Sequence, residues 1–128
     1  MNSASDPATT ATPASAAAPD ARAWTDICAA DDIVPNTGVC ANVHDRHVAV
    51  FRLGADRFFA IDNVDPKSGA SVLSRGMVGN LGEHLVVASP LYKNHFDLRT
   101  GACLEAAEHS VRAHAVQVEN GRVRVALA

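Results

Sequence analysis

The sequence predicts an all-β fold, an antiparallel sandwich of short strands. Three observations carry that expectation. Apolar and polar residues alternate with a period of two in several segments. Turn signals built from Gly, Asn and Asp separate those segments at short spacing. No window of 12 or more residues places apolar side chains at helical spacing.

The elements follow in order. Trp24–Cys28 is expected as the first strand, and "GVCANV" (38–43) as the second, closing at His44-Asp45-Arg46. "HVAVFRL" (47–53) and "RFFAID" (57–62) form a hairpin about Gly54-Ala55-Asp56. "HLVVAS" (84–89) is a short continuous apolar run, suited to a strand covered on both faces. "HFDL" (95–98) is a further strand. "HAVQVE" (114–119) and "RVRVAL" (122–127) flank Asn120-Gly121. That dipeptide is a hairpin turn, because a type I′ turn needs positive φ at both central residues. The turn sets Val118 opposite Val123, Val116 opposite Val125 and Glu119 opposite Arg122.

Two stretches break this rhythm. Residues 63–83 contain four glycines and one proline and read as a long insertion between strands; Ser89–Asn94 follows the apolar run. Long ordered loops are often functional, and two at one end of a β-scaffold are expected to enclose a site.

Residues 1–23 differ from the rest, with nine Ala, three Pro, three Ser and three Thr, and no apolar side chain larger than Ala apart from Met1. Such a segment buries too little surface to offset its ordering entropy, so a disordered tail is expected there, and one folded domain over 24–128. The tail lacks the basic start and apolar core of a secretory signal and the arginines of a mitochondrial presequence, and no stretch is long and apolar enough to span a membrane. The formal net charge of −3 argues against nonspecific nucleic-acid binding. Charge is uneven: residues 24–65 carry seven acids and three bases, whereas 66–99 carry four bases (Lys67, Arg75, Lys93, Arg99) against Glu83 and Asp97. Cys28, Cys40 and Cys103 form no CxC or CxxC pair. Each reads as a small buried hydrophobe in a reducing cytoplasmic compartment.

The two loops carry a resemblance. The first has Asp65-Pro66-Lys67 and then Gly69-Ala70; the second has Ser89-Pro90-Leu91-Tyr92, then Phe96-Asp97-Leu98 and Thr100-Gly101. This layout resembles a Rieske-type domain, in which C-x-H and C-x-x-H loops hold a [2Fe–2S] cluster through Cys₂ on one iron and His₂ on the other. The ligand positions would be Asp65 and Lys67 in the first loop, and Ser89 and Tyr92 in the second; all four carry something else. The blocks Asn63–Ala70, Val72–Gly79 and Val87–Leu104 are similar to the small subunit of NAD(P)H-dependent assimilatory nitrite reductase, a Rieske-like family without the cluster ligands. That resemblance implies a Rieske-like sandwich with a small loop subdomain. It also implies a cytoplasmic accessory subunit with no catalytic site and no cofactor or metal of its own. The partner would be a large subunit carrying FAD, an iron–sulfur cluster and sirohaem, which reduces nitrite to ammonium.

Within this reading the degenerate positions are expected to fill the cluster space with a polar network, an Asp65–Lys67 pair and a bond from the Tyr92 hydroxyl. Lys67, Arg75, Tyr92, Lys93 and His95 are the expected docking residues. Three alternatives stand beside it: a mononuclear metal site from Asp65, Tyr92, His95 and Asp97, an electron-transfer ferredoxin of an oxygenase, and a generic protein-binding module.

Overall fold

A computed structural model of the chain describes residues 23–128. The expected disordered tail, Ala23 apart, lies outside those residues. The elements are β1 (Thr25–Ala29), β2 (Thr37–Val43), β3 (Arg46–Leu53), β4 (Arg57–Asp62), β5 (Met77–Leu81), β6 (His84–Ala88), β7 (His95–Asp97), β8 (Ala113–Glu119) and β9 (Arg122–Ala126). Three single 3₁₀ turns, at 30–32, 73–75 and 107–109, join some of them. None of the described helices is long and apolar enough to cross a membrane.

The strands make two antiparallel sheets, one of order β1-β9-β8-β4-β3-β2 and one of order β5-β6-β7. The terminal hairpin has the register its sequence demands: Val116↔Val125, Val118↔Val123 and Glu119↔Arg122. Asn120 and Gly121 both take positive φ, as a type I′ turn requires. His44 and Asp45 do the same between β2 and β3.

β3 organises the interior because both of its faces are buried. Ala49, Phe51 and Leu53 point toward the small sheet and meet Ile61, Leu73, Val87, Phe96 and Leu98. Val48 and Val50 point the other way, toward Ile33, Val43, Ala60, Val123 and Val125. Each fully buried large side chain contributes about 1.5–3 kcal/mol, so one strand supports two cores at once. Cys103 belongs to the first core, but Cys40 is exposed, against expectation. It sits on the edge strand β2 opposite Ala49, on the face toward the 63–75 loop, where its Sγ accepts from Asn63 Nδ2 at 3.3 Å.

One stretch read as loop is a strand. Residues 77–81 pair with β6 along their whole length, through a two-residue turn at Gly82-Glu83. The preceding Gly76 lies against the end of β6, where a Cβ would stand 2.3 Å from the Ala88 carbonyl oxygen. Only glycine permits that approach.

Asp62 ties three strands together at the end of β4. Its carboxylate accepts from Arg46 (3.2 Å), His114 Nε2 (2.8 Å) and the Arg112 backbone N–H (3.2 Å). Burial pushes its pKa upward, but the bonds from His114, Arg112 and Arg46 outweigh that and hold it below the ordinary carboxylate value. A depressed folded-state pKa contributes stability that is full above the unfolded value near 3.9 and is lost as pH falls through the folded one. Asp62→Asn is therefore expected to flatten the stability–pH curve below about pH 4 relative to the unsubstituted chain. Urea melts across pH 2–7 check this; parallel acid limbs in the two proteins would refute it.

Candidate functional site

The two loops meet, and their four ligand-like positions pair across the gap. Asp65 and Ser89 are 0 % and 1 % exposed, and the Ser89 hydroxyl donates to Asp65 Oδ2 at 2.5 Å. Asp65 Oδ1 accepts the Lys67 backbone N–H at 2.9 Å, and Ser89 Oγ accepts the Leu91 N–H at 3.3 Å. Above this buried bond, the Lys67 ammonium lies 4.6 Å from the centroid of the Tyr92 ring. The expected Asp65–Lys67 side-chain pair is thus not formed. Asp65 is spent on Ser89 below, while the Lys67 ammonium keeps its water and rests on a half-exposed aromatic face.

Both loops close by one backbone scheme. Asp65 N–H donates to Ala70 O and Gly69 N–H to Asp65 O; Ser89 N–H donates to Asn94 O and Lys93 N–H to Ser89 O. A third loop repeats it, with Asp97 N–H to Ala102 O, Gly101 N–H to Asp97 O and the Arg99 N–H to Asp97 Oδ1. The scheme requires positive φ at its fifth residue, which is Gly69, Lys93 and Gly101 in turn. The sequence shows the repeat as "DPKSGA" (65–70) and "DLRTGA" (97–102), a signal that strand alternation does not reveal. In both, the side-chain hydroxyl of the fourth residue accepts the N–H of the sixth. The second oxygen of each Asp then takes one donor from elsewhere: Ser89 for Asp65, His84 Nδ1 at 2.7 Å for Asp97.

Asn63 is the other residue that sequence reasoning missed. It is buried, its Oδ1 accepts the Ser74 N–H at 2.6 Å and its Nδ2 donates to Ser71 Oγ at 2.7 Å. Its own N–H donates to His47 O, and its O accepts from Val72 and Leu73. One amide therefore holds the 63–75 loop onto β3. An Asn entering a Gly-rich loop from a strand was the available signal.

The other expected site residues divide. Lys93 stands at the exposed tip of the second loop with φ +62°, in the place where its two counterpart loops use glycine. Arg75 ends the 3₁₀ turn whose next residue, Gly76, abuts Ala88, so it lies beside the entry to the second loop. His95 is half-buried and held by Glu105, through its backbone N–H at 2.8 Å and its Nδ1 at 2.5 Å.

These residues do not fit a [2Fe–2S] cluster. Asp65 and Ser89 bond to each other, an ammonium has no lone pair to give, and hydroxyl and carboxylate oxygens are hard donors where the cluster takes soft thiolate. The mononuclear set is not assembled either: Asp65 pairs with Ser89, Asp97 with His84 and His95 with Glu105. Among the described residues, no three His, Cys, Asp or Glu side chains are grouped to hold a metal ion.

Comparison with known proteins agrees with this architecture. Residues 23–126 match the family described as Rieske-like [2Fe-2S] domain. The chain is 47 % identical over 103 residues to the nitrite reductase (NADH) small subunit of Escherichia coli K12, covering 80 % of this chain and 95 % of that one. The chain belongs to the nitrite reductase small-subunit family of Rieske-like domains. A solution structure of the nitrite reductase [NAD(P)H] small subunit from Erwinia carotovora superposes with a TM-score of 0.72 at 51 % identity, covering 82 % of each chain. A ferredoxin of carbazole 1,9a-dioxygenase from Nocardioides aromaticivorans superposes with a TM-score of 0.71 at 30 % identity, covering 82 % of this chain and 98 % of that one. The nitrite reductase [NAD(P)H] large subunit of Klebsiella oxytoca is 45 % identical over 104 residues, which are 81 % of this chain and 11 % of that protein. A small-subunit-like stretch therefore lies within a large-subunit polypeptide in that relative.

The buried bond and the surface stack differ in expected cost. Ser89→Ala leaves a buried carboxylate oxygen without its donor and should destabilise the domain by about 1–3 kcal/mol. Tyr92→Ala removes a half-exposed ring and its cation, at about 0.5–1 kcal/mol. Urea midpoints of both variants check the order; a Tyr92→Ala loss exceeding that of Ser89→Ala would contradict it.

Proposed function

We propose that this chain is the accessory small subunit of an NAD(P)H-dependent nitrite reductase and acts by docking on the large subunit. The observation that carries the proposal is the Klebsiella oxytoca relative, where the domain and the large-subunit sequence share one polypeptide. A domain covalently joined to a partner in one protein and separate in another is expected to rest on the same surface in both, since the linker only raises the effective concentration. The large subunit supplies FAD, an iron–sulfur cluster and sirohaem, reduces nitrite to ammonium, and works with this chain in the cytoplasm. Neither nucleic acid nor membrane takes part.

The contact face is the end where the two loops meet. Lys67 and Tyr92 stack there, Pro66, Pro90 and Leu91 are exposed around them, and Arg75 and Lys93 add charge. An exposed aromatic and a large aliphatic side chain ringed by cations have the make-up of an interface anchor with its rim. Lys93 supports the reading further. A non-glycine residue in the left-handed region costs about 1 kcal/mol or more, and it stands where the backbone alone would select glycine. The electron-transfer role of the dioxygenase ferredoxin would need the thiolate and imidazole donors that positions 65, 67, 89 and 92 lack.

Co-expression of this chain with its large subunit tests the assignment. The two should co-purify, and Arg75→Glu together with Lys93→Glu should reduce recovery of the complex about tenfold by reversing two rim charges. Full recovery with both reversals would remove this face from the interface.

A further inference from the structure

A strand at the edge of a sheet carries unpaired backbone N–H and C=O groups, and proteins guard such edges with charge, bulges, short strands or a cover. Three of the four sheet edges here are guarded. β1 carries Asp26 and a bulge between Asp26 and Cys28. β2 lies across a cleft of about 320 Å³ from β1, with Asp26 and Asp32 in the lining. β7 has only three residues, and Cys103 bridges to Phe96 on its outer side. The fourth edge, β5, has none of these devices: its five residues, "MVGNL", carry no charge and no proline.

The free backbone groups of β5 can be named. Leu85 O accepts the Leu98 N–H at 2.8 Å, so Leu85 turns its backbone groups toward β7. By strand alternation His84, Val86 and Ala88 turn theirs toward β5. Their partners Leu81, Gly79 and Met77 therefore face β6. Val78 and Asn80 point their N–H and C=O groups out of the sheet, and no described residue pairs with them. Met77 and Leu81 stand on the outer face, 80 % and 41 % exposed, with Gly79 between them. A Cβ at Gly79 would meet nothing within 4 Å.

We propose that β5 pairs antiparallel with β5 of a second copy of this chain, about a two-fold axis at Gly79. The register names the occupant. With Gly79 opposite itself, Val78 of each copy lies opposite Asn80 of the other, and these are the residues whose backbone groups are free. They exchange both bonds, as a hydrogen-bonded antiparallel pair does. Met77 of each copy then faces Leu81 of the other in a non-hydrogen-bonded pair, where side chains approach most closely, so exposed apolar groups cover each other. Gly79 on the axis adds no side chain to the crowded centre. Sliding the register either way sets Met77 or Leu81 against Gly79 and loses the Val78–Asn80 exchange. β5 is thus self-complementary, the property a two-fold interface requires. This self-pairing concerns the chain by itself and does not depend on the small-subunit reading.

Sedimentation equilibrium of the full chain tests this. The wild-type chain should show a monomer–dimer equilibrium with a Kd below about 1 mM, as a small interface allows. Asn80→Pro removes an outward N–H and no bond within the chain, and proline is tolerated on strand edges, so the variant should stay folded and weaken the dimer about tenfold. Gly79→Lys and Gly79→Glu each set a like charge against itself across the axis and should each weaken the dimer about fivefold. An equimolar mixture of those two variants should recover dimer at or above the wild-type level, which reads the two-fold register directly. A dimer left unchanged by Asn80→Pro and by both Gly79 variants overturns the proposal. A wild-type chain that stays monomeric at about 1 mM overturns it too, and a loss of large-subunit binding in Asn80→Pro would then assign the edge to that partner.

Discussion

A carboxylate with no solvent exposure must find hydrogen-bond donors or cost several kcal/mol. In this domain Asp65 finds them in the backbone of its own loop and in the hydroxyl of Ser89 on the other loop. That last bond is the constraint on which the rest of the loop end depends. It draws the two loops together where a cluster would otherwise bridge them, and it brings Lys67 and Tyr92 into contact above. The covalent tie through metal is replaced by one buried hydrogen bond and one cation–aromatic contact. The first is hidden from solvent and the second faces it, so the loop end is held from below and is open to a partner from above.

The loops could take this form because their backbones need no metal to close. The scheme at Asp65–Ala70 recurs at Asp97–Ala102, with the same Asp oxygen accepting the N–H two residues on. Asp65 therefore does at the first loop what Asp97 does at the third. The second loop keeps the backbone pattern with Ser89 in the Asp position and Lys93 at the left-handed residue. Ser89 is shorter than Asp and carries a proton, which makes it the donor in the pair.

Much of the fold was legible because strand alternation and turn chemistry agree in this sequence. The Asn120-Gly121 hairpin is the clearest case, since turn type and apolar spacing specify one register. β5 was not legible. Its centre is Gly79, flanked by Gly76 and Gly82, and its Met77 is 80 % exposed, so neither propensity nor alternation marks it as a strand. Pairing with β6 creates it. At the site, the convergence of residues 65, 67, 89 and 92 followed from the family resemblance, but their partners did not. Whether the Asp65 carboxylate meets the lysine or the serine depends on burial, and burial is a property of the assembled loops.

We propose that the loop end, locked by its own side chains, is a protein-contact surface. Amide hydrogen exchange of this chain, alone and with its large subunit, tests that claim most directly. Exchange at Lys67 and Gly69 is expected to be slow in the free chain, because their N–H groups are bonded within the locked loop. A further slowing across residues 66–69 and 90–95 is expected on binding. Fast exchange at those amides in the free chain, or protection on binding confined to strands remote from both loops, would contradict it.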